Sequence, residues 1–174
     1  FDPHVAERMA AAYGRGIRFL EDDLGFDVAD RIYFNNKEFL GVPDRMKVHN
    51  QEWLTEGALE FIDQSHHQPF FLYFAQSMPH LPISASERFR GSSKAGLYGD
   101  VIQEIDWSVG EINQTLKDLG LDQNTIIILS SDNGPWISYG NHAGITPFRE
   151  AKGTTFDGGI RSACIIKYPP GMEA

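Results

Sequence analysis

The chain has 174 residues, enough for about one domain of ~100–200 residues with a buried core. Its 41% hydrophobic and 22% charged content argues against disorder and against a membrane protein. Fifteen basic residues scattered among 24 acidic ones leave a net charge of -9, which argues against a nucleic-acid partner. An anionic ligand would need a local cluster of Lys, Arg, His or metal ions instead.

Residues 5 to 24 place Val5, Met9, Ala12, Tyr13, Ile17, Leu20 and Leu24 on one i, i+3, i+4 stripe, which predicts an amphipathic helix. Residues 26 to 50 show no sustained period and carry Asn-Asn and Val-Pro breaks, so they read mostly as loop. Leu54, Ala58, Phe61 and Ile62 then predict a helix over 51 to 65, followed by the continuous apolar strand candidate "QPFFLYFA". The same order recurs. Leu97, Val101, Ile105, Val109, Ile112, Leu116 and Leu119 form a long helical stripe ended by Gly120, and "LDQN" leads into "TIIILSS". A last strand candidate, "RSACIIKYP", follows the Gly-rich "KGTTFDGG".

Helices alternating with near-continuous apolar strands predict an α/β fold whose sheet is largely parallel and covered by helices on both faces. In such sheets ligands collect beyond the carboxyl ends of the strands. That rule places two segments on one rim: "QSMPHLP" with His80, and "DNGPW" with Asp132 and Asn133.

Asp132 and Asn133 offer oxygen ligands alone, which suits a hard cation such as Ca²⁺ or Mg²⁺. An Asx-turn or helix cap accounts for the same residue types. Two ligands are also too few for Ca²⁺, which takes about 6–8 oxygens. His80 sits between two prolines that hold its backbone extended, and imidazole can hydrogen-bond an anion or donate a proton near neutral pH. A lone histidine is nonetheless more often an ordinary surface or core residue. Lys152 stands among small residues in "EAKGTTFDGG", where an ammonium can meet a compact anion, with Arg149 and Arg161 flanking it. A solvated loop lysine is the ordinary alternative. No GxxxxGK[ST] or GxGxxG text is present, so Gly158-Gly159 reads as a tight turn.

The segments "FFLYFAQSMPHLP", "TIIILSSDNGPW", "GNHAG" and "FREAKGTTFDGGIRSACI" together resemble the sulfatase family of the alkaline phosphatase superfamily, in the family's order and over roughly residues 50 to 170. The resemblance implies an alkaline-phosphatase-like sandwich, present here as part of a catalytic domain, with 1–50 a variable helical and loop segment and 51–174 the core. It implies a sulfuric ester hydrolase acting on a small-molecule or carbohydrate sulfate ester. A phosphonate monoester or phosphodiester hydrolase of the same superfamily is the alternative, and this isolated piece is expected to be inactive. Asp132 and Asn133 match the family's Asp-Asn metal ligands, normally for Ca²⁺, with Mg²⁺ as the second choice. Lys152 matches the lysine that contacts the sulfate group, and His80 the histidine that contacts the ester. His142, Asn141 and Arg149 receive no catalytic role.

The family's nucleophile is a formylglycine made in a Cys/Ser-x-Pro/Ala-x-Arg motif, which is absent from this chain and expected upstream. Cys164, the one cysteine, lies in a strand-like run without that motif and reads as a buried core residue. "EDDLGFD" at residues 21 to 27 imitates a family metal motif but closes a helical stripe, so Asp22 and Asp23 read as a helix end. The chain starts at Phe1 and is expected to belong to a longer protein. A periplasmic, secreted or lysosomal location follows from the resemblance alone. Apolar runs such as "FFLYFA" fall far short of the ~20 residues that span a bilayer.

Overall fold

The computed structural model describes residues 3–31, 51–81, 83–137 and 146–169. The chain forms two compact units, Phe1–Thr115 and Leu116–Ala174. The expectations attached to Asn141 and His142 lie outside the described residues.

In the first unit, helix α1 spans Pro3–Arg18, with Arg15 and Arg18 in its last turn, where cations complement the carbonyl end of the helix dipole. It runs on into a π-helical turn, Phe19–Asp23, capped at Leu24 by the main-chain carbonyls of Phe19 and Glu21. Asp22 and Asp23 are exposed there, in agreement with their reading as a helix end.

Helix α2, Gln51–Ser65, buries Leu54, Ala58 and Ile62 on the predicted stripe. Helix α3, Gly96–Asp118, buries Val101 and Leu116. A small core gathers Met78, Ala85 and Val101, with Ile83, Phe89 and Ile105 packed against it. The Met78-Pro79 peptide is cis.

The helices also bury polar groups that an apolar stripe does not announce. Gln51, Thr55, Glu104 and Ser108 are each at most 1% exposed. The Thr55 hydroxyl donates to the Gln51 carbonyl at 2.6 Å, so across their 2.7 Å contact Ser108 is the donor to Thr55. Gln51 Nε2 donates in turn to Ser108 Oγ at 3.4 Å. The three residues thus close a ring that joins α2 to α3, and each hydroxyl both gives and receives a hydrogen bond.

Asp100 does similar work at the start of α3. Its carboxylate accepts the main-chain N–H groups of Gly91 and Ser93, each at 2.8 Å. These bonds hold its pKa below the ordinary carboxylate value.

In the second unit, Gly120 takes φ +70 and ends α3, while Leu121 N–H bonds back to the Leu116 carbonyl, a glycine-terminated stop. Strand β1, Ile127–Ser130, pairs with β2, Cys164–Lys167, in register Ile127 with Lys167 and Ser130 with Cys164. Between them lies the one-turn helix α4, Asp157–Ile160.

The pair is antiparallel. Both strands fall where the apolar runs predicted, but the largely parallel sheet does not appear among the described residues. "QPFFLYFA" has no strand pairing there either, and it leaves Phe71 75% and Tyr73 70% exposed. Cys164 is exposed instead of buried. In a two-stranded sheet an apolar run has no layer on top of it, so composition alone does not bury the thiol.

Candidate active site

The second unit brings three loop segments together by main-chain bonds. Gly134 N–H donates to the Gly159 carbonyl at 2.9 Å, Gly158 N–H to the Arg149 carbonyl at 2.8 Å, and Lys152 N–H to the Pro135 carbonyl at 2.9 Å. Glycine is needed at these crossings. A Cβ on Gly134 would fall on the Gly158 carbonyl oxygen, and one on Gly158 would fall on that of Glu150. The turn bearing Lys152 is bent by Glu150 at φ 63 and Gly153 at φ +92. The left-handed value suits Gly153 and makes Glu150 the unusual residue.

This frame sets the "DNGPW" turn beside the lysine. Ser131, just before the turn, is held by Ser162 Oγ donating to its carbonyl at 2.7 Å, and its own hydroxyl donates to the Asn133 carbonyl at 3.2 Å. Asp132 is exposed and Asn133 half-buried. Among the described residues no hydrogen bond or ion pair engages the Asp132 carboxylate, so it is available to a cation. The half-buried Lys152 carries its Nζ 5.2 Å from the centre of the Trp136 ring.

Two further cations of the same unit lie over aromatic rings: Arg149 over Phe156 at 3.8 Å, and Arg161 over Phe148 at 5.0 Å. Arg161 also pairs with Asp157 at 3.4 Å. A chain with net charge -9 thus carries three cations within 13 positions of its sequence, each set against its own aromatic ring.

His80 belongs to the first unit. It is half-buried, and its main-chain N–H donates to Ser77 at 3.2 Å. Its Nδ1 lies 2.7 Å from the Leu81 carbonyl. A carbonyl can only accept, so Nδ1 bears the hydrogen and the tautomer is fixed.

The metal chemistry is represented in part. Asp132 and Asn133 fit two positions of an oxygen-ligated shell, while the described residues contain no cluster of three or more His, Cys, Asp or Glu that could hold an ion. Cys164 stands on β2 in "SACIIKYP", outside any Cys-x-Pro-x-Arg text, so the chain does not fit the formylglycine.

A sulfatase family model matches residues 12–174. The chain belongs to the sulfatase family. It is similar to mouse (Mus musculus) N-acetylgalactosamine-6-sulfatase, 45% identical over 124 residues that cover 69% of this chain and 24% of the relative. An N-acetylgalactosamine-6-O-sulfatase of Bacteroides thetaiotaomicron is 37% identical over 126 residues, 67% of this chain and 25% of the relative.

Among solved structures, the PsFucS1 sulfatase of Pseudoalteromonas superposes with TM-score 0.66 at 34% identity, over 70% of this chain and 25% of that one. The Ps i-CgsB structure covers 95% of this chain and 37% of that one, with TM-score 0.65 at 24% identity, and shows likeness of fold. The fold is therefore that of the sulfatases, alkaline-phosphatase-like. The chain spans about a quarter of the length of the curated relatives it matches.

The sequence motifs for Asp132, Asn133 and Lys152 thus lie in one sulfatase-like unit. Sequence reasoning missed Trp136 as more than turn punctuation. Its only signal was its position three residues after Asn133.

Proposed function

We propose that the protein carrying this chain hydrolyses sulfate monoesters with the help of a divalent cation, and that its substrates are sulfated carbohydrates. The observation that supports this most is the 2.9 Å bond from Lys152 N–H to the Pro135 carbonyl. It ties Lys152 to the turn that holds an uncommitted carboxylate and amide.

In this reading Asp132 and Asn133 are ligands to Ca²⁺, with Mg²⁺ as the second choice. When bound, the cation polarises the ester and offsets negative charge. Lys152 binds and orients the sulfuryl oxygens, whose charge persists into the transition state. His80, with its Nδ1–H anchored on the Leu81 carbonyl, presents Nε2 toward the leaving oxygen and donates a proton from it in the imidazolium form. The largely parallel sheet of the complete domain, the further metal ligands and the nucleophile belong to the same proposal. The carbohydrate substrate class is drawn from the names of the relatives, two of which are N-acetylgalactosamine 6-sulfatases. No helix among the described residues is long and apolar enough to cross a membrane.

The test uses the full-length protein with 4-nitrocatechol sulfate and a phenyl phosphonate monoester, before and after chelation. Sulfate turnover that is lost on chelation and restored by Ca²⁺ is expected. Faster turnover of the phosphonate, or turnover indifferent to chelation, would overturn the reading. The isolated 174-residue chain is expected to show no turnover.

A further inference from the structure

We infer that Trp136 is a positioning residue for the Lys152 ammonium, holding it over the Asp132-Asn133 turn through a cation–π contact. The inference rests on the proposed sulfatase reading for its catalytic consequence and on geometry for its physical content. Lys152 has one end fixed and the other guided. Its N–H is bound to Pro135, and its Nζ lies 5.2 Å from the ring of the very next residue, inside the ~6 Å reach at which an ammonium is attracted to an aromatic face.

Lysine needs such a guide more than arginine does. Its four-carbon stem is rich in rotamers, and its charge is a point without the fork that pre-orients a guanidinium. On a loop tied to the Asp132 turn, an unguided ammonium is also free to swing toward that carboxylate and neutralise the ligand needed for the cation. A ring face offers the ammonium attraction without a competing negative charge, so Lys152 stays near the turn yet remains available to an anion. Pro135 makes the arrangement stiff, because its ring fixes φ between the metal-type turn and the tryptophan. Trp136 is 36% exposed, so the indole is accessible and is not simply a piece of core.

The experiment compares Trp136→Leu and Trp136→Phe in the full-length enzyme, each with and without Lys152→Ala. A contact of this kind corresponds to about 3- to 30-fold in rate. Trp136→Leu is expected to lower kcat/KM for 4-nitrocatechol sulfate by that factor, and Trp136→Phe, which keeps a ring face, to retain most of it. In the Lys152→Ala background neither change is expected to matter further.

Independently of turnover, acetylation of Lys152 read by peptide mass spectrometry is expected to speed up several-fold in Trp136→Leu and to stay near the parent rate in Trp136→Phe. Unchanged acetylation and unchanged kcat/KM in Trp136→Leu would overturn the inference. An equal loss in the Lys152→Ala background would do the same. A parent enzyme without sulfate turnover but with the acetylation pattern intact would overturn the function proposed above and leave the contact standing.

Discussion

Around Ser108 the structure is held by side chains, and around Gly134 by the absence of them. In the first unit Gln51, Ser108 and Thr55 pass hydrogen bonds round a closed ring inside a helix pair. In the second, three loops meet through their main chains at Gly134, Gly158 and Lys152, with two glycines at the crossings. The first arrangement spends polar side chains on cohesion. The second joins its loops through the backbone and keeps the Asp132 carboxylate and the Lys152 ammonium out of its hydrogen bonds, so both can be used for chemistry. The difference teaches where function can reside: on a frame whose own hydrogen bonds do not consume the reactive groups.

The contrast can be broken most sharply at Lys152. In the full-length enzyme Lys152→Ala is expected to reduce kcat by about 10²–10³-fold, the usual effect of removing one charge-stabilising donor, with an unchanged Tm. A fall in Tm comparable to that of a core mutant would show that the lysine belongs to the frame after all. Gly134→Ala should behave in the opposite way. Its methyl must displace the Gly158 carbonyl, at up to about 3 kcal/mol of stability, and chemical denaturation of the full-length protein would measure it.

Ser108→Ala opens the ring in the first unit and strands the Gln51 amide. A loss of about 1–2 kcal/mol is expected from that buried donor, with kcat unaffected. An unchanged denaturation midpoint would show that the ring contributes nothing.

The smallest effect concerns Glu104. Burial pushes its pKa up and the neighbouring Glu52 adds to this, while hydrogen bonds from Ser86 work the other way. Its Oε1 has no partner among the described residues. Because the folded-state pKa exceeds the ordinary value of 4.5, folding takes up a proton. The site is therefore most favourable below that ordinary value and becomes a liability as pH rises through the folded one. Glu104→Gln is expected to raise stability slightly at neutral pH and to flatten the stability profile between mildly acidic and neutral pH. An unchanged slope would show that Glu104 ionises as it does in the unfolded chain.

Local periodicity made much of this structure legible. The stripe Leu54, Ala58 and Ile62 marks the buried face of α2, and α3 ends at Asp118, two residues before the Gly120 predicted to stop it. "TIIILSS" and "RSACIIKYP" marked both strands because β-branched runs favour extended backbone. Their antiparallel pairing was not legible, since it depends on which strands meet and not on what each is made of. Cys164 misled for a related reason: an apolar neighbourhood in sequence does not guarantee a covering layer in space. Nor could a search for apolar spacing find Ser108 or Thr55, whose burial is made tolerable by each other. For the candidate site, the residue types Asp132, Asn133 and Lys152 were visible in the motifs. The Pro135 bond and the Trp136 ring were not, because both arise from loop closure between segments 16 or more residues apart.

The glycine crossings have a consequence for how this unit can change. Since the frame is written in backbone, residues 132, 133, 136 and 152 are free to be exchanged without dismantling it, whereas Gly134 and Gly158 are not. Replacements at the former positions should therefore cost turnover and leave the fold standing, whereas a side chain at either of the latter should cost the fold itself. The turn separates chemistry from scaffold, and two missing methyl groups draw the line between them.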